Sequence, residues 1–528
     1  MSLVLRLSIQ FAIFLFVFCL FGLPCRATIQ YEISLAHPEL HTFHIRMTIP
    51  DVKDSITVQM PAWNALYEIR DFSAHVQKVE ATNGTSSLPV EKLDKQTWRI
   101  TGTGTITISY DTFWDEPGPF ATQLNTEHAF MNPAMILMYV PDRRSEENTI
   151  SFVSIPPRWR VTAATAADSP RGSFQSSQLG VPFHGWGKSY DDLADSPFEV
   201  GEFEPQVLNL ESPPVHVMLH GKAIHLSDFV QKLDEICKYE IKLMGGAPYP
   251  HYTFIFHIGD SFGGGGMEHA NGTAIAARSD ERALSTAAHE FFHLWNVKRI
   301  RPASLEPVDY TKEQYTKALW FAEGVTSTYE RYTLLRTGIW NKNVYYADLG
   351  RQISELEARP ANTWQSAEQS SLDTWLENSP VYNRPENSVS YYTKGAVLGV
   401  LLDLWIRKQT TNGRSLDDMM RTMNEKFGKT GKPYRDHEDL ELVCTETAGA
   451  SCKEFFDNYV SGTKPFPYDE YFGFAGLKIR RIIHTSEQAG TKTAFEVSED
   501  DSASDKQKQI RAGILKGETT KPAAKAAD

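Results

Sequence analysis

Cysteine is scarce in this sequence, with five cysteines among 528 residues. A chain this long with so few cysteines is not a small scaffold that depends on a disulfide framework. Its length instead allows roughly two to four domains, each with its own hydrophobic core. Hydrophobic residues make up 41% of the chain and charged residues 23%. Enough apolar surface is therefore available to offset the entropy lost on folding, which excludes wholesale disorder.

Basic residues are fewer than acidic residues. Fifty-three lysines and arginines stand against 66 aspartates and glutamates, which gives a formal net charge of -13 at pH 7. A chain of this sign repels a phosphate backbone unless its basic residues are gathered into one patch, and the sequence contains no such patch. We therefore expect no nucleic-acid partner.

Long hydrophobic runs are absent after the first thirty residues. The single run covers residues 7–23, with Arg6 before it and the small residue Ala27 after it. A basic start, a short apolar segment and a small residue before the cut are typical of a secretory signal peptide, here residues 1–27. An uncleaved membrane anchor is the alternative. We expect a secreted or periplasmic protein with no stable membrane association after cleavage.

Three cysteines remain once the predicted signal peptide is removed. In an oxidising compartment Cys444 and Cys452 could pair with each other and leave Cys237 buried and free. The alternative is that all three are reduced thiols in the hydrophobic core. The sequence leaves both possibilities open.

The N-terminal part alternates apolar and polar residues with a period of two, as in residues 29–35, 43–49 and 106–110. Period two is typical of strands with one buried face. Turn residues such as Asn83-Gly84 separate the strands. Residues 28–210 are therefore predicted to form an antiparallel β domain.

Helical patterns dominate the following region. After a strand over residues 252–258, helices are predicted over residues 281–296 and 311–336, within a unit that covers residues 211–345. Residues 346–485 are predicted to be mostly helical and to complete this unit. The resulting fold class is α+β.

The end of the chain is poor in hydrophobic residues. Residues 486–528 are rich in Ser, Asp, Lys, Gln and Ala. Such a composition predicts a disordered tail.

A candidate metal site lies in the first predicted helix, where the sequence reads HEFFH from His289 to His293. Two histidines four residues apart project from one helical face and can bind a single ion, and Glu290 can then act on water beside the metal. A solvated helix face is the alternative. The aromatic residues between and after the histidines disfavour it, because they would bury the imidazoles.

A catalytic zinc usually takes three protein ligands and leaves one position open. Glu323 is the candidate for the third, because it lies in the apolar stretch WFAEG on the next predicted helix and would be costly to bury unpaired. Glu330 is the weaker candidate and is expected to be solvated. The predicted ligands of one zinc ion are thus His289, His293 and Glu323.

Four ordered motifs resemble the glycyl aminopeptidase family of zinc metallopeptidases, which are related to thermolysin-like aminopeptidases. The motifs are GGMEH (265–269), HEFFHLWNVKRIRP (289–302), WFAEG (320–324) and YYTKG (391–395). The resemblance implies a β domain followed by a thermolysin-like catalytic domain with a mostly helical distal part. Longer family members continue into a PDZ-like domain, whereas here the resemblance fades soon after Leu477.

The resemblance also implies roles for residues around the metal. Glu268, on a strand with Gly266 and Met267, would bind the free α-amine of a peptide by a charge-assisted hydrogen bond. Tyr392 would stabilise the oxyanion of the transition state, with Tyr391 as the substitute. Both positions have simpler interpretations, an exposed strand residue and core packing respectively.

The predicted function is a secreted zinc aminopeptidase that removes an N-terminal residue, Gly or Ala by family resemblance, with Glu290 as general base. A thermolysin-type endopeptidase would share the metal ligands but lack the amine contact of Glu268. A non-catalytic peptide-binding protein is the third hypothesis, and an intact Glu290 argues against it. The expected partners are peptides with a free N-terminus.

Overall fold

The structure is a computed structural model that describes residues 28–64, 67–164, 183–203, 206–208, 210, 213–221, 226–486 and 490–520. The predicted signal peptide, residues 1–27, lies outside the described residues. Within the described ranges, no helix is both long enough and apolar enough to cross a membrane.

The N-terminal part is built from strands, as the period-two pattern predicts. The strands are β1 (Ile29–Ser34), β2 (Thr42–Val52), β3 (Ser55–Gln59), β4 (Val76–Asn83), β5 (Ser86–Ser87), β6 (Val90–Lys92), β7 (Thr97–Thr101), β8 (Gly104–Phe113), β9 (Gln123–Leu124), β10 (His128–Met131), β11 (Asn148–Val153), β12 (Arg160–Ala163), β13 (Phe183–Gly187) and β14 (Phe198–Gly201). Two short helices, α1 (Pro133–Ile136) and α2 (Tyr190–Ala194), interrupt them.

These strands form three sheets. The largest has the order β13, β11, β1, β2, β8, β4, β5; a second has the order β12, β14, β10, β9; a third has the order β3, β7, β6. The predicted antiparallel arrangement is wrong at one place, because β1 pairs with β11 in parallel. These two strands are separated by more than a hundred residues, so a crossover can bring them side by side in the same direction.

A mixed five-stranded sheet forms the base of the next unit. Its strands are β15 (Gln206–Val207), β16 (Val215–Gly221), β17 (Tyr252–Ile258), β18 (Gly265–His269) and β19 (Gly272–Ala277), and their order is β15, β16, β17, β19, β18. β17 is buried along its whole length, which explains its continuous run of apolar residues. β18 forms the edge of this sheet and pairs antiparallel with β19.

Helices make up most of the remaining chain and confirm the α+β class. They are α3 (Leu226–Met244), α4 (Asp280–Phe292), α5 (Thr326–Arg336), α6 (Lys342–Glu357), α7 (Ala367–Leu372), α8 (Tyr391–Gln409), α9 (Leu416–Met423), α10 (Glu438–Ala448), α11 (Lys453–Phe455), α12 (Tyr468–Phe474) and α13 (Asp505–Lys516). Within the described residues, three π-helical segments cover Trp320–Val325, Asn424–Gly428 and Phe456–Val460. Short 3-10 turns lie at Pro38–Leu40, Phe72–His75, Pro141–Arg143, Asp260–Phe262, Ala303–Leu305, Pro360–Thr363 and Asp373–Leu376.

Two main cores underlie this architecture. One lies among the N-terminal sheets, and the other extends without interruption from the five-stranded sheet to the last helix, α13. Among the cysteines of the described part, Cys444 and Cys452 form a disulfide and Cys237 is buried and free. The paired arrangement is therefore confirmed over the three reduced thiols.

Both predicted active-site helices are shorter than their patterns indicate. The helix predicted over residues 281–296 ends at Phe292, and the one predicted over 311–336 is helical only from Trp320. Residues before Trp320 find partners outside a helix, because the Asp436 carboxylate accepts from Thr316 Oγ1 at 2.6 Å and from the backbone nitrogen of Lys317 at 2.8 Å.

The predicted disordered tail is wrong for most of its length. β20 (Leu477–Ser486) pairs with β21 (Gly490–Glu499), and α13 follows, with a capping box at Ser504 and Gln507. Helix α13 buries Ile510 and Ile514 against the catalytic core. Composition conceals this helix because only one narrow stripe of it is apolar.

Buried Arg407 ties α13 to the core. Its guanidinium is held by Asp403 at 3.1 Å and donates to the Gly513 carbonyl oxygen at 3.1 Å and to the Glu518 carbonyl oxygen at 2.8 Å. These backbone acceptors belong to the C-terminal segment. The segment is therefore part of the catalytic unit.

We predict that Ile514→Ala lowers the free energy of unfolding by about 2–4 kcal/mol, because it leaves a cavity under α13. Urea denaturation followed by circular dichroism measures the change. The matched control is Lys508→Ala, an exposed position on the same helix, which should change stability by less than about 0.5 kcal/mol. Equal, small effects of both substitutions would contradict the packing of α13.

Candidate active site

The two histidines of the HEFFH motif stand at the end of α4. His289 lies in its last turn, and His293 is its C-cap residue, still with helical dihedral angles. Ser279 begins the helix by accepting a hydrogen bond from the backbone nitrogen of Arg282. Both imidazoles are buried, and their ring centroids are 4.7 Å apart. The spacing of four residues therefore places both rings on one face, as predicted.

The Glu323 carboxylate meets these two rings. Its Oε2 atom lies 3.4 Å from His289 Nε2 and 3.2 Å from His293 Nε2. The ligand atoms of all three side chains lie within 4.8 Å of one another. The structure thus brings together the three residues that the sequence predicts as zinc ligands.

Glu323 reaches this position from a π-helical turn rather than from a regular α-helix. The neighbouring helix α8 packs closely against that turn, because Gly324 and Gly395 face each other without side chains. A Cβ added to Gly324 would overlap the Gly395 backbone and the Tyr391 carbonyl oxygen. The two glycines thus place the start of α8 beside the candidate metal site.

A hydrogen bond orients His293 for metal binding. Its Nδ1 atom lies 2.6 Å from the Asn296 carbonyl oxygen, which can only accept, so Nδ1 carries the proton and Nε2 presents a lone pair toward Glu323. The Asn296 side chain donates to the Phe321 carbonyl oxygen at 2.8 Å. Asn296 therefore links both chain segments that carry the candidate ligands.

Glu330 lies behind His289 and is not the solvated residue that the sequence predicts. Its Oε2 atom is 3.7 Å from His289 Nδ1, and its carboxylate accepts from Ser285 Oγ at 2.5 Å and from Arg331 Nη1 at 3.0 Å. Burial alone would raise the pKa of Glu330, but Arg331 and His289 lower it to about 2. An ionised carboxylate at this position can hold the His289 ring in place.

The donor set fits zinc. Two imidazole nitrogens and one carboxylate oxygen converge on one point, and the orienting contacts of both rings lie on their far sides. Nitrogen and oxygen ligands in this number are those of catalytic zinc sites that keep a fourth position open.

Glu290 lies beside the candidate ligands and faces the edge strand β18. A Cβ added to Gly266 would overlap the Glu290 carboxyl group, so the glycine makes room for it. Burial raises the pKa of Glu290, His289 and His293 lower it, and the result is about 7. The ligand atoms of Glu268, Glu290 and His293 also lie within 4.8 Å of one another.

The edge strand β18 carries the residues implied in amine binding. Gly266 and Glu268 are two positions apart and share the face that meets Glu290. Met267 is buried on the opposite face but still borders the cleft. All three predicted substrate-binding residues therefore line the same cavity.

Two tyrosines begin helix α8 next to the candidate metal ligands. Tyr392 is 39% exposed, and its ring centroid is 6.2 Å from that of His289. Tyr391 is buried, and its hydroxyl accepts from Thr374 Oγ1 at 3.2 Å. Tyr392 is therefore the tyrosine that is accessible from the cleft, while the Tyr391 hydroxyl is already occupied by Thr374.

The cleft consists of two adjoining cavities. One, of about 350 Å³, contains the candidate ligands together with Glu290 and Tyr392. The other, of about 480 Å³, lies beyond Glu268. Tyr67, Met267 and Glu268 border both cavities. Glu268 therefore lies at the boundary between the cavity that contains the candidate metal ligands and the second cavity.

Several residues of the cleft carry no signal in the sequence. Phe120 and Glu68 come from the N-terminal part, and Glu377 comes from the helical part. Burial raises the pKa of Glu377 to about 7, although its contact with Tyr391 lowers it. No local motif marks these residues, because they line the cleft only after distant parts of the chain have packed together.

Comparison with known proteins gives the family. Residues 282–398 match the sequence profile described as M61 glycyl aminopeptidase, and residues 30–202 match the profile of the M61 N-terminal domain. The chain belongs to the M61 peptidase family. This M61 peptidase is accordingly a zinc aminopeptidase, which confirms the resemblance noted in the sequence.

Two solved structures are similar to this chain. An aminopeptidase N family protein from Idiomarina loihiensis is 27% identical, with 87% of this chain and 82% of that chain covered and a TM-score of 0.81. An M1 zinc metallopeptidase from Deinococcus radiodurans is 13% identical, with 84% and 95% covered and a TM-score of 0.50, and shares the fold. No curated protein matches the chain.

We predict that Glu330→Gln weakens zinc binding about 10- to 100-fold, because His289 loses the charged partner of its Nδ1 atom. Competition with a chromophoric chelator measures the affinity. Glu355→Gln, which removes an exposed carboxylate on α6, is the control and should leave the affinity unchanged. An unaltered affinity in Glu330→Gln would show that His289 is oriented by other contacts.

Proposed function

We propose that this M61 peptidase removes the N-terminal residue, glycine or alanine, from peptides with a free amino terminus after secretion to the periplasm or the medium. The observation that carries the proposal is the convergence of Glu268, Glu290 and His293 within 4.8 Å. A carboxylate that can bind an ammonium group thus lies directly beside a base and a candidate metal ligand.

His289, His293 and Glu323 would hold one zinc ion. When bound there, zinc supplies Lewis-acid polarisation of the scissile carbonyl and acidifies a water molecule. The chain's own residues carry out the remaining steps.

Glu290 is the proposed general base. It is the one carboxylate of the HEFFH motif, it is buried, and Gly266 leaves space in front of it. It would take a proton from the attacking water and deliver that proton to the leaving amine nitrogen. Tyr392, open to the cleft, would donate its hydroxyl hydrogen to the carbonyl oxygen as negative charge develops there.

Glu268 is the proposed anchor of the substrate amine. Its carboxylate would accept hydrogen bonds from the α-ammonium group, and the free edge of β18 would pair with the peptide backbone. An anchor so close to the metal admits only one residue before the scissile bond. An endopeptidase, by contrast, needs an open cleft on this side.

The preference for an N-terminal glycine and the export of the protein have separate support. The description of the matching family supports glycine as the preferred residue. The Cys444–Cys452 disulfide supports an oxidising compartment, because such bonds are rare in reducing cytosol. The apolar run before residue 24 supports export through a signal peptide.

We predict that Glu290→Gln lowers kcat about 10²- to 10⁴-fold, because the amide cannot take a proton from water. Hydrolysis of glycyl and alanyl peptides measures kcat, and elemental analysis verifies that zinc content is unchanged. Glu281→Gln, an exposed position on the same helix, is the control and should retain activity. Full activity in Glu290→Gln would refute the mechanism, and peptide binding without turnover in the zinc-loaded wild type would favour a binding protein.

We predict that Glu268→Gln lowers kcat/KM for unblocked peptides about 10- to 100-fold, because a charge-assisted hydrogen bond is replaced by a weaker neutral one. Paired assays with free and N-acetylated peptides test this role. The wild type should cleave only the free peptides, and the variant should lose most of this discrimination. Asp260→Asn, exposed just before β18, is the control. Equal cleavage of both peptides by the wild type would favour an endopeptidase.

A further inference from the structure

A second cluster of metal-binding side chains lies outside the cleft. His128 on β10, Glu199 on β14 and His257 on β17 are all buried, and their ligand atoms lie within 4.8 Å of one another. β10 and β14 belong to a sheet of the N-terminal part, whereas β17 belongs to the five-stranded sheet. None of the three residues borders the two cleft cavities. The cluster therefore joins two sheets and has no part in the proposed reaction.

The Glu199 carboxylate is the centre of this cluster. Its Oε1 atom lies 2.8 Å from His128 Nδ1, and its Oε2 atom lies 3.1 Å from His257 Nε2. The side chain is fully buried. A carboxylate removed from water in this way requires a positive charge beside it.

The hydrogen bonds around His128 restrict what the positive charge beside Glu199 can be. The Gln123 side-chain nitrogen donates to Asp115 Oδ1 at 2.9 Å, which turns the Gln123 carbonyl oxygen toward His128 Nε2 at 3.2 Å. An amide oxygen can only accept, so His128 Nε2 carries a proton. His128 Nδ1 then faces Glu199 either with a second proton or with a lone pair that shares a cation with the carboxylate.

The catalytic centre shows a related arrangement, although both of its rings meet one oxygen of Glu323, whereas His128 and His257 meet different oxygens of Glu199. There too, one nitrogen of a buried histidine, His293, donates to a carbonyl oxygen, and the other nitrogen points at a buried glutamate 3.2 Å away. A second histidine meets the same glutamate in both places. This pattern of a ligand ring held by a far-side acceptor is typical of metal-binding histidines.

Two further imidazoles lie beside the His128 ring. The His220 ring stacks on the His128 ring with centroids 4.1 Å apart, and the His257 ring lies 5.4 Å from that of His128. Two imidazoles thus meet the Glu199 carboxylate directly, while His220 stacks behind His128 and lies 4.0 Å from Glu127. A divalent ion bound by His128, Glu199 and His257 would leave these rings neutral, and Glu199 would offset one of its two positive charges.

We propose that His128, Glu199 and His257 form a second metal site, separate from the catalytic one, that binds a divalent ion of the zinc type and fastens the N-terminal part to the five-stranded sheet. Two imidazole nitrogens and a carboxylate oxygen are ligands that suit zinc. A small apolar cluster with Phe130 on β10, Met218 on β16 and Ile255 on β17 lies along the same junction. Metal binding would therefore act together with apolar packing.

Metal counting tests the proposal. The full chain is stripped with a chelator, reloaded with zinc, desalted and analysed by inductively coupled plasma mass spectrometry. We expect about two zinc ions per wild-type chain, about one in His257→Asn, about one in His293→Asn and none in the double variant, because each substitution removes a ligand of one site. His184→Asn, an exposed histidine on β13, is the control and should retain both ions.

Melting temperature and anomalous diffraction test the second metal site independently of metal counting. Zinc should raise the melting temperature of chelator-treated His293→Asn but not that of the double variant, since only the former retains the second site. Anomalous diffraction at the zinc edge should show a peak among His128, Glu199 and His257. A wild type that holds a single zinc, lost completely in His293→Asn, would overturn the proposal and assign the charge to protonated His128, while leaving the proposed peptidase function untouched.

Discussion

The burial of the Glu323 carboxylate is the constraint on which the rest of the active site depends. An ionised group so far from water needs a positive charge beside it, and here it meets two buried imidazoles in an arrangement that suits a zinc ion among the three side chains. Satisfying this requirement brings the end of α4, a π-helical turn and the start of α8 together. Asn296 and the facing glycines Gly324 and Gly395 then hold these segments in place.

The N-terminal part contributes directly to the same arrangement. Asp195, which follows α2, accepts from Lys298 at 2.9 Å, from the backbone nitrogen of Ala270 at 2.9 Å and from His269 at 3.0 Å. Burial would raise the pKa of Asp195, but Lys298 and His269 hold it well below its usual range. This anion fastens the end of β18 and the segment after α4 to the β domain. The strand that carries Glu268 is thus fixed relative to the metal ligands from both sides.

Local sequence patterns predict much of the active site and of the N-terminal sheets. The spacing of His289 and His293, the acidic residue in an apolar stretch at Glu323 and the alternating N-terminal strands each encode a structural outcome within a few residues. The C-terminal segment is folded although its composition predicts disorder, because helix α13 has few apolar residues and its burial depends on Arg407 and the core helices. Glu330 is a similar case, because its own stretch of sequence predicts a solvated residue and only the packing of α4 places His289 and Ser285 beside it.

By itself, the sequence determined the metal-binding motif, the α+β class, the candidate base and the family, because each of these is carried by short-range spacing or by residue type. Only the tertiary structure decided which carboxylates surround the ligands, how far Glu268 stands from Glu290 and which cysteines pair. It also brought His128, Glu199 and His257 together from three separate strands. Such contacts join residues tens to hundreds of positions apart, and no local pattern specifies them, because they follow from how the sheets and helices bury their apolar faces against one another.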